Sequence, residues 1–146
     1  LHFPSFEAFP MSPEDMAQAH RSFPDFDGKR DALLDAWSPE GGEMRFGDVV
    51  LTVVIGDARR AVPAWDGLAD AWFLDGFSPA KNPELWEPEL LHDVARHTAP
   101  FGTAATYTAA GAVRRALESA GFAVERTTGA SSSVMDGITS KSSRTS

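Results

Sequence analysis

Residues 70–86 read DAWFLDGFSPAKNPELW, and this stretch decides the fold of the second half of the chain. Its first part is almost wholly apolar and carries aromatic side chains, which predicts a buried strand that ends at Asp75. Gly76, Pro79 and Pro83 follow closely and predict a stiff turn rather than more strand. The strand therefore places one carboxylate at its carboxyl end, in front of an aromatic loop.

Strands alternate with helices on both sides of this stretch. The predicted helices are one capped by Ser12 with Pro13 in its first turn, then 29–37, 88–97 and one closed by Gly121. The predicted strands are one ending near Glu7, a hairpin turning at Gly47-Asp48, then 70–74, 102–108 and 122–128. This alternation predicts an α/β domain with a largely parallel sheet.

Composition narrows the class of protein. The chain has 146 residues, which suits one domain, and it has no cysteine, which excludes disulfides and thiolate metal sites and is compatible with an intracellular protein. No apolar run approaches the ~20 residues that span a bilayer. Residues 1–75 carry 6 Lys and Arg against 14 Asp and Glu, and residues 76–146 carry 7 against 7. If the protein meets nucleic acid, the second half is the expected contact, because such surfaces are basic.

Three acids stand at or just after predicted strand ends: Glu7, Asp57 and Asp75. Ligands of parallel α/β sheets bind beyond the carboxyl ends of the strands, so we expect all three at one crevice. Glu7 suits the two hydroxyls of a ribose, but its spacing alone favours a solvated acid. Asp57 suits an adenine amino group and, equally, the cap of a helix over ARRAVPAW.

Two interpretations of the Asp75 loop remain open on the residues alone. In one, Asp75 is partly desolvated at the sheet edge, Gly76 lets the backbone approach a ligand, and Phe77 and Trp86 stack on a base. In the other, Asp75 caps the turn and the aromatic side chains belong to the core.

Metal and nucleophile sites are not indicated. The four histidines lack HxxxH or HxH spacing, and His92 and His97 are five residues apart, which does not suit one helix face. Ser78 lies in GFSPA, which is not the G-x-S-x-G elbow of a serine hydrolase. We therefore predict no metal.

A family resemblance appears over residues 1 to 129. DAWFLDGFSPAKNPELW, followed by AATYTAAGAVRRALESAGFAVER, closely resembles the methyltransferase domain of the bacterial enzymes that make tRNA 5-methylaminomethyl-2-thiouridine, the MnmC-type family. LHFPSFEAFPMSPEDMAQAH is similar to that family's second strand and next helix, and VVIGDAR to its turn beside the adenine. The resemblance implies a class I, Rossmann-like methyltransferase that uses S-adenosylmethionine to methylate the aminomethyl group of the wobble uridine of tRNA.

The resemblance also implies residue roles. Glu7 would hold the cofactor ribose, and Asp57 and Ala58 would lie beside the adenine. Asp75 would lie next to the methyl group and the substrate amine, and Gly76 would also bind the cofactor. The residues implied to line the target pocket are Phe77, Pro79, Lys81, Asn82 and Trp86. No membrane partner is implied, the location would be the cytoplasm, and some family members carry a fused flavin-dependent oxidase domain.

Two departures from the family pattern bear on these expectations. The chain opens at what matches the family's second strand, so we expect the first strand and its Gly-rich loop to be missing from a partial domain over residues 1–129. Residues 130–146 are rich in Ser and Thr and are predicted to be a mobile tail. The alternatives are a non-catalytic fragment of such a domain and a methyltransferase acting on another amine.

Overall fold

The computed structural model describes residues 1–23, 27–127 and 137–142. The chain divides into two compact units, Leu1–Ala61 and Val62–Ser146, each with its own sheet. Helix α3 (Ala58–Ala64) contains the boundary between them.

The first unit has a three-stranded sheet in the order β1-β3-β2. Strand β1 (His2–Glu7) runs parallel to β3 (Val49–Ile55), and β2 (Gly42–Phe46) runs antiparallel to β3. Gly47 has φ 57°, a left-handed conformation that glycine adopts readily, so the chain turns tightly between β2 and β3. The predicted hairpin and both predicted strand ends are confirmed.

Two helices precede the hairpin, α1 (Pro13–His20) and α2 (Asp27–Ala36). The Ser12 hydroxyl accepts a hydrogen bond from the Asp15 backbone N–H at 3.1 Å, which confirms the predicted cap. The Trp37 indole Nε1 donates to the Met11 carbonyl at 2.9 Å, so the end of α2 is tied to the segment ahead of α1.

The second unit has a four-stranded sheet in the order β4-β5-β7-β6. Its elements in chain order are β4 (Ala69–Leu74), a 3-10 turn (Pro83–Trp86), α4 (Pro88–Arg96), β5 (Thr98–Thr106), α5 (Gly111–Ser119), β6 (Phe122–Thr127) and β7 (Gly137–Ser142). Strands β4 and β5 are parallel, whereas β7 is antiparallel to both of its neighbours. The arrangement is therefore parallel at the strands that carry the acids and antiparallel at β2 and β7.

The core of the second unit lies under α4 and α5. Leu91 and Leu117 are each 1% exposed and Val113 is 2% exposed, as expected for the apolar faces of two amphipathic helices. Helix α5 is capped by Ala120, and Gly121 follows with φ 103°. The predicted glycine thus lies one residue after the cap, where a left-handed residue commonly ends a helix.

The C-terminal segment differs from its prediction. Residues 137–142, expected to belong to a mobile tail, form β7 between β5 and β6. A strand with few apolar residues is stable there because both of its backbone edges are paired. The remainder of the predicted tail, 130–136 and 143–146, lies outside the described residues. Of the helices that the structure describes, none combines the length and apolarity required to cross a bilayer.

Candidate functional site

Glu7 and Asp57 lie at the carboxyl ends of adjacent parallel strands. Glu7 pairs with Ile55 in the β1–β3 register, and the Gly56 backbone N–H donates to the Glu7 carbonyl at 3.0 Å. Asp57 follows Gly56 directly. Two of the three predicted acids are therefore brought together at one sheet edge of the first unit.

The Glu7 carboxylate is half-buried and held by its own strand. The Ser5 hydroxyl donates to Oε1 of Glu7 at 2.7 Å, a length typical of a charge-assisted bond. A carboxylate has about four lone-pair sites, so this bond leaves acceptor capacity for further donors. Glu7 is therefore not the freely solvated acid that its spacing alone favoured, since its carboxylate is half-buried and hydrogen-bonded.

The Asp57 carboxylate caps α3 and pairs with Arg59. Oδ1 accepts from the Arg59 backbone N–H at 2.9 Å and from Nε at 3.0 Å, and Oδ2 accepts from Nε at 3.1 Å and from an Nη at 2.6 Å. The Arg59 side chain, and next its backbone N–H, lower the pKa of Asp57 to about 2. The geometry is that of the helix cap, and an adenine amino group at Asp57 would compete with Arg59. Ala58 is half-buried at the first position of α3.

Asp75 directly follows β4 at the carboxyl end of the second unit's parallel pair, where Leu74 is in register with Thr106. Its side chain is exposed, so the expected partial desolvation is wrong for this arrangement. Within the described four-stranded sheet β4 is the terminal strand, and Phe73 on that strand is 66% exposed. Among the described residues, none forms a hydrogen bond or ion pair with the Asp75 carboxylate.

A buried tryptophan holds the loop that follows Asp75. Trp86 is 7% exposed, and its indole Nε1 donates to the Phe77 carbonyl at 2.8 Å. The Phe77 ring itself is 72% exposed. Trp86 is thus a core residue that supports the loop, whereas Phe77 is the aromatic side chain presented to solvent.

Gly76 lies close to the side chains of Leu85 and Trp86 in this loop. A Cβ at Gly76 would lie 2.7 Å from Leu85 Cδ1 and 3.4 Å from Trp86 Cζ2. A rotation of the Leu85 side chain would relieve the shorter contact, so the predicted approach of a ligand to Gly76 stays a prediction.

The remaining predicted pocket residues lie on a turn. The Ser78 carbonyl accepts from the backbone N–H groups of Lys81 and Asn82, at 2.8 and 3.0 Å. Lys81 is exposed, whereas Pro79 and Asn82 are half-buried. The turn makes Lys81 accessible to a large ligand, and the substrate-binding assignment of these residues stays a prediction. The crevice shared by Glu7, Asp57 and Asp75 also stays a prediction, because Asp75 belongs to the other compact unit.

Sequence analysis missed three residues beside the candidate acids: Ser5, Arg59 and Tyr107. Ser5 and Arg59 each contact an acid two positions away. In a strand this spacing places Ser5 and Glu7 on the same face, and at the start of a helix it joins the Asp57 cap to Arg59. Tyr107 directly follows β5, next to the strand that delivers Asp75, and is 68% exposed. The strand-end rule did not identify Tyr107, because the predicted strand ran to residue 108, whereas β5 ends at Thr106.

Histidine and acidic side chains are the groups in this cysteine-free chain that a metal ion would use. No group of three or more His, Asp or Glu residues within 1–23, 27–127 and 137–142 is arranged to hold a metal. Glu7 offers a fixed carboxylate at a strand end, which suits a ribose diol. The assignment of the Glu7 carboxylate to the cofactor ribose stays a prediction.

A sequence profile of the S-adenosyl-L-methionine-dependent methyltransferase family matches residues 24–135. The chain belongs to this family. Its fold class, an α/β methyltransferase of the class I, Rossmann-like type, is confirmed by this match and by structural similarity to MNMC2 from Aquifex aeolicus. That similarity has a TM-score of 0.73 with 28% identity, covering 95% of this chain and 43% of that one.

Curated relatives confirm the MnmC-type resemblance. The bifunctional protein MnmC of tRNA 5-methylaminomethyl-2-thiouridine biosynthesis from Pseudomonas fluorescens (strain Pf0-1) is 47% identical over 134 residues, and that from Chromobacterium violaceum is 45% identical over 136. Each match covers 88% of this chain and 20% of the relative, so the chain spans about a fifth of these proteins. The N-methyltransferase NodS from Bradyrhizobium japonicum, solved with S-adenosyl-L-homocysteine, shares the fold at TM-score 0.50 with 10% identity, covering 98% of this chain and 78% of that one.

Proposed function

We propose that this chain is part of an S-adenosylmethionine-dependent methyltransferase that methylates the aminomethyl group on the wobble uridine of tRNA, giving 5-methylaminomethyl-2-thiouridine. The observation that carries the proposal is that Glu7 and Asp57 stand at adjacent strand ends with their carboxylates held by hydrogen bonds, while Asp75 is exposed directly after β4. The relatives named for this biosynthesis, 44–47% identical, support the substrate.

In the proposed site, Glu7 accepts hydrogen bonds from the ribose hydroxyls of the cofactor. Its carboxylate is already held by Ser5, so little ordering is required on binding. Asp57 holds the start of α3 in place, next to Ala58, on the adenine side of the cofactor. When bound, S-adenosylmethionine supplies the electrophilic methyl group.

Asp75, in the same proposal, acts on the substrate amine. An ammonium ion has no lone pair, so it must lose a proton before its nitrogen forms the new bond to the methyl carbon. Asp75 orients the amine and accepts or relays that proton. The carbon–sulfur bond breaks as the carbon–nitrogen bond forms, and the neutral thioether that leaves needs no acid.

The second-unit loop forms the proposed target pocket. Phe77 offers its exposed ring to a base, and Lys81 offers a cation to a phosphate. Pro79, Asn82 and Trp86 shape the turn that presents them. We further propose a cytoplasmic location and a flavin-dependent oxidase domain fused to the methyltransferase domain; the relatives, which are called bifunctional, support the fusion.

Methyl transfer by the full-length gene product tests this function. The protein would be mixed with radiolabelled S-adenosylmethionine and with tRNA from a strain that lacks the wobble methylation. We expect label in 5-methylaminomethyl-2-thiouridine after nuclease digestion and chromatography, and none with tRNA that is already methylated. Label in another nucleoside, or in a small amine but not in tRNA, would replace the proposed substrate.

A further inference from the structure

Ser5 and Glu7 form a pair within β1. They are two residues apart in a strand, so their side chains project from the same face of the sheet. Both are half-buried, and the Ser5 hydroxyl donates to Glu7 Oε1 at 2.7 Å. The Glu7 carbonyl is held at the same time by the Gly56 N–H at 3.0 Å. Glu7 is thus fixed at both its backbone and its side chain.

We infer that Ser5 is a positioning residue for the cofactor: its hydroxyl holds the Glu7 carboxylate in the orientation that accepts the two ribose hydroxyls. The inference rests on the proposed function, because it takes Glu7 as the ribose acceptor. It adds a residue that acts on binding through Glu7 without contacting the ligand.

The physical reason is the flexibility of glutamate. A Glu side chain loses more rotamer freedom on ordering than most side chains, and this cost opposes binding when ordering occurs with the ligand. A charge-assisted hydrogen bond from Ser5 orders the carboxylate beforehand. Since Ser5 uses one of about four lone-pair sites, the others remain for a diol.

Ser5 could instead contribute only to the stability of β1, where it is in register with buried Val53. The two roles differ in what they predict for the ligand. A purely structural role affects every ligand of the unit alike, whereas positioning of Glu7 matters only while both the diol and the carboxylate are present.

The test is calorimetric titration of the full-length gene product with S-adenosylhomocysteine and with its 2′-deoxyribose analogue. We expect Ser5→Ala to weaken binding of S-adenosylhomocysteine by roughly three- to tenfold, the usual range for loss of one hydrogen bond. The analogue should lose less, and Ser5→Ala should have no further effect in a Glu7→Ala background. Ser5→Thr keeps the hydroxyl in a strand and should restore the affinity.

Ser12→Ala is the matched control, because it removes another serine hydroxyl that forms one bond within the first unit, at the cap of α1. It should lower the melting temperature and leave the affinity unchanged. If Ser5→Ala folds poorly, Ser5→Cys keeps the shape with a weak donor and should show the same loss of affinity.

Equal losses for both ligands, or an additive loss in the Glu7→Ala background, would overturn the inference. If Ser5→Ala binds normally while Glu7→Ala binds more weakly, the inference about Ser5 is overturned and the proposed role of Glu7 is unaffected. Unchanged affinity in Glu7→Ala would remove both. The expected pattern without methyl transfer to tRNA would uphold Ser5 and remove only the proposed substrate.

Discussion

The two sheets that carry the candidate acids at their strand ends hold those acids differently. In the first unit, Glu7 and Asp57 are each held by a neighbour two residues away, Ser5 and Arg59. In the second unit, the Asp75 side chain is exposed and it is the following loop that is held, through the bond from Trp86 to the Phe77 carbonyl. A fixed carboxylate suits ligand binding, whereas an accessible one beside a fixed loop suits contact with a reacting group. The difference agrees with the proposed binding role of the first unit's acids and the proposed chemical role of Asp75.

The largest expected effect is at Asp75. Asp75→Asn keeps the shape and one acceptor but removes the group that takes the amine proton, so turnover on aminomethyl-uridine tRNA should fall by about a hundredfold. Because Asp75 is exposed, the free energy of unfolding should change by no more than about 0.5 kcal/mol. Turnover and melting would be measured on the same sample.

Asp70→Asn is the control for that substitution, since Asp70 is an exposed aspartate within β4, the strand that Asp75 follows. It should leave turnover unchanged. Residual activity of Asp75→Asn should rise with pH, because more free amine then forms without help. A loss of stability with full activity per folded molecule would instead make Asp75 a turn cap.

Glu7 provides the next largest effect and tests the binding half of the comparison. Glu7→Ala removes a charged acceptor, whose bonds contribute about 1.5–3 kcal/mol, so affinity for S-adenosylhomocysteine should fall about tenfold or more. Glu14→Ala, which removes an exposed glutamate from α1, should bind normally. Calorimetry on the full-length gene product decides between this role and a solvated acid.

Trp86 tests whether the second unit's loop needs its support. Trp86→Phe keeps an aromatic ring but removes the donor to the Phe77 carbonyl, so stability should fall by about 1 kcal/mol and the KM for tRNA should rise several-fold. Trp72→Phe is the matched control. It also removes an indole hydrogen bond, from Trp72 Nε1 to Thr98 Oγ1 at 3.0 Å, but this bond lies outside the loop. It should cost similar stability and leave KM unchanged. Equal KM values in the two variants would contradict a role for Trp86 in ordering the loop.

The smallest effect is the acid dependence of the Asp57 cap. Arg59 lowers the pKa of Asp57 to about 2 from the ordinary value of 3.8, so the stabilisation is present above pH 3.8 and is lost as pH falls toward 2. In Arg59→Ala this acid-side loss should shrink, because the folded and unfolded pKa values of Asp57 then approach each other. Arg60→Ala, which removes the weaker neighbouring charge, should retain most of it. The free energy of unfolding of the unsubstituted protein, Arg59→Ala and Arg60→Ala would be measured by denaturant titration at pH 2, 3, 4 and 5. The same pH dependence in all three would exclude a stabilising contact between Arg59 and Asp57.

Most elements could be predicted from local chemistry. Strand β3 ends at Ile55 because Gly56-Asp57 interrupts a run made up of β-branched residues and Leu51, and α1 begins at Pro13 because Ser12 supplies a cap. The strand-end rule then located the acids without knowledge of any contact. Strand β7 could not be predicted, since its residues have little apolar pattern and gain their order from pairing with β5 and β6.

The sequence established the order of the strands up to β6, the acids at their ends and the family resemblance, because each depends on residues adjacent in the chain. Only the tertiary structure decided which acids are held and which are accessible. Trp86 lies in the core while Phe77 faces solvent, although both are aromatic side chains of one loop. Asp57 and Asp75 are both strand-end aspartates, and only Asp57 is engaged by an arginine. Burial and partner choice depend on what packs against a residue in space, and periodicity carries no information about that.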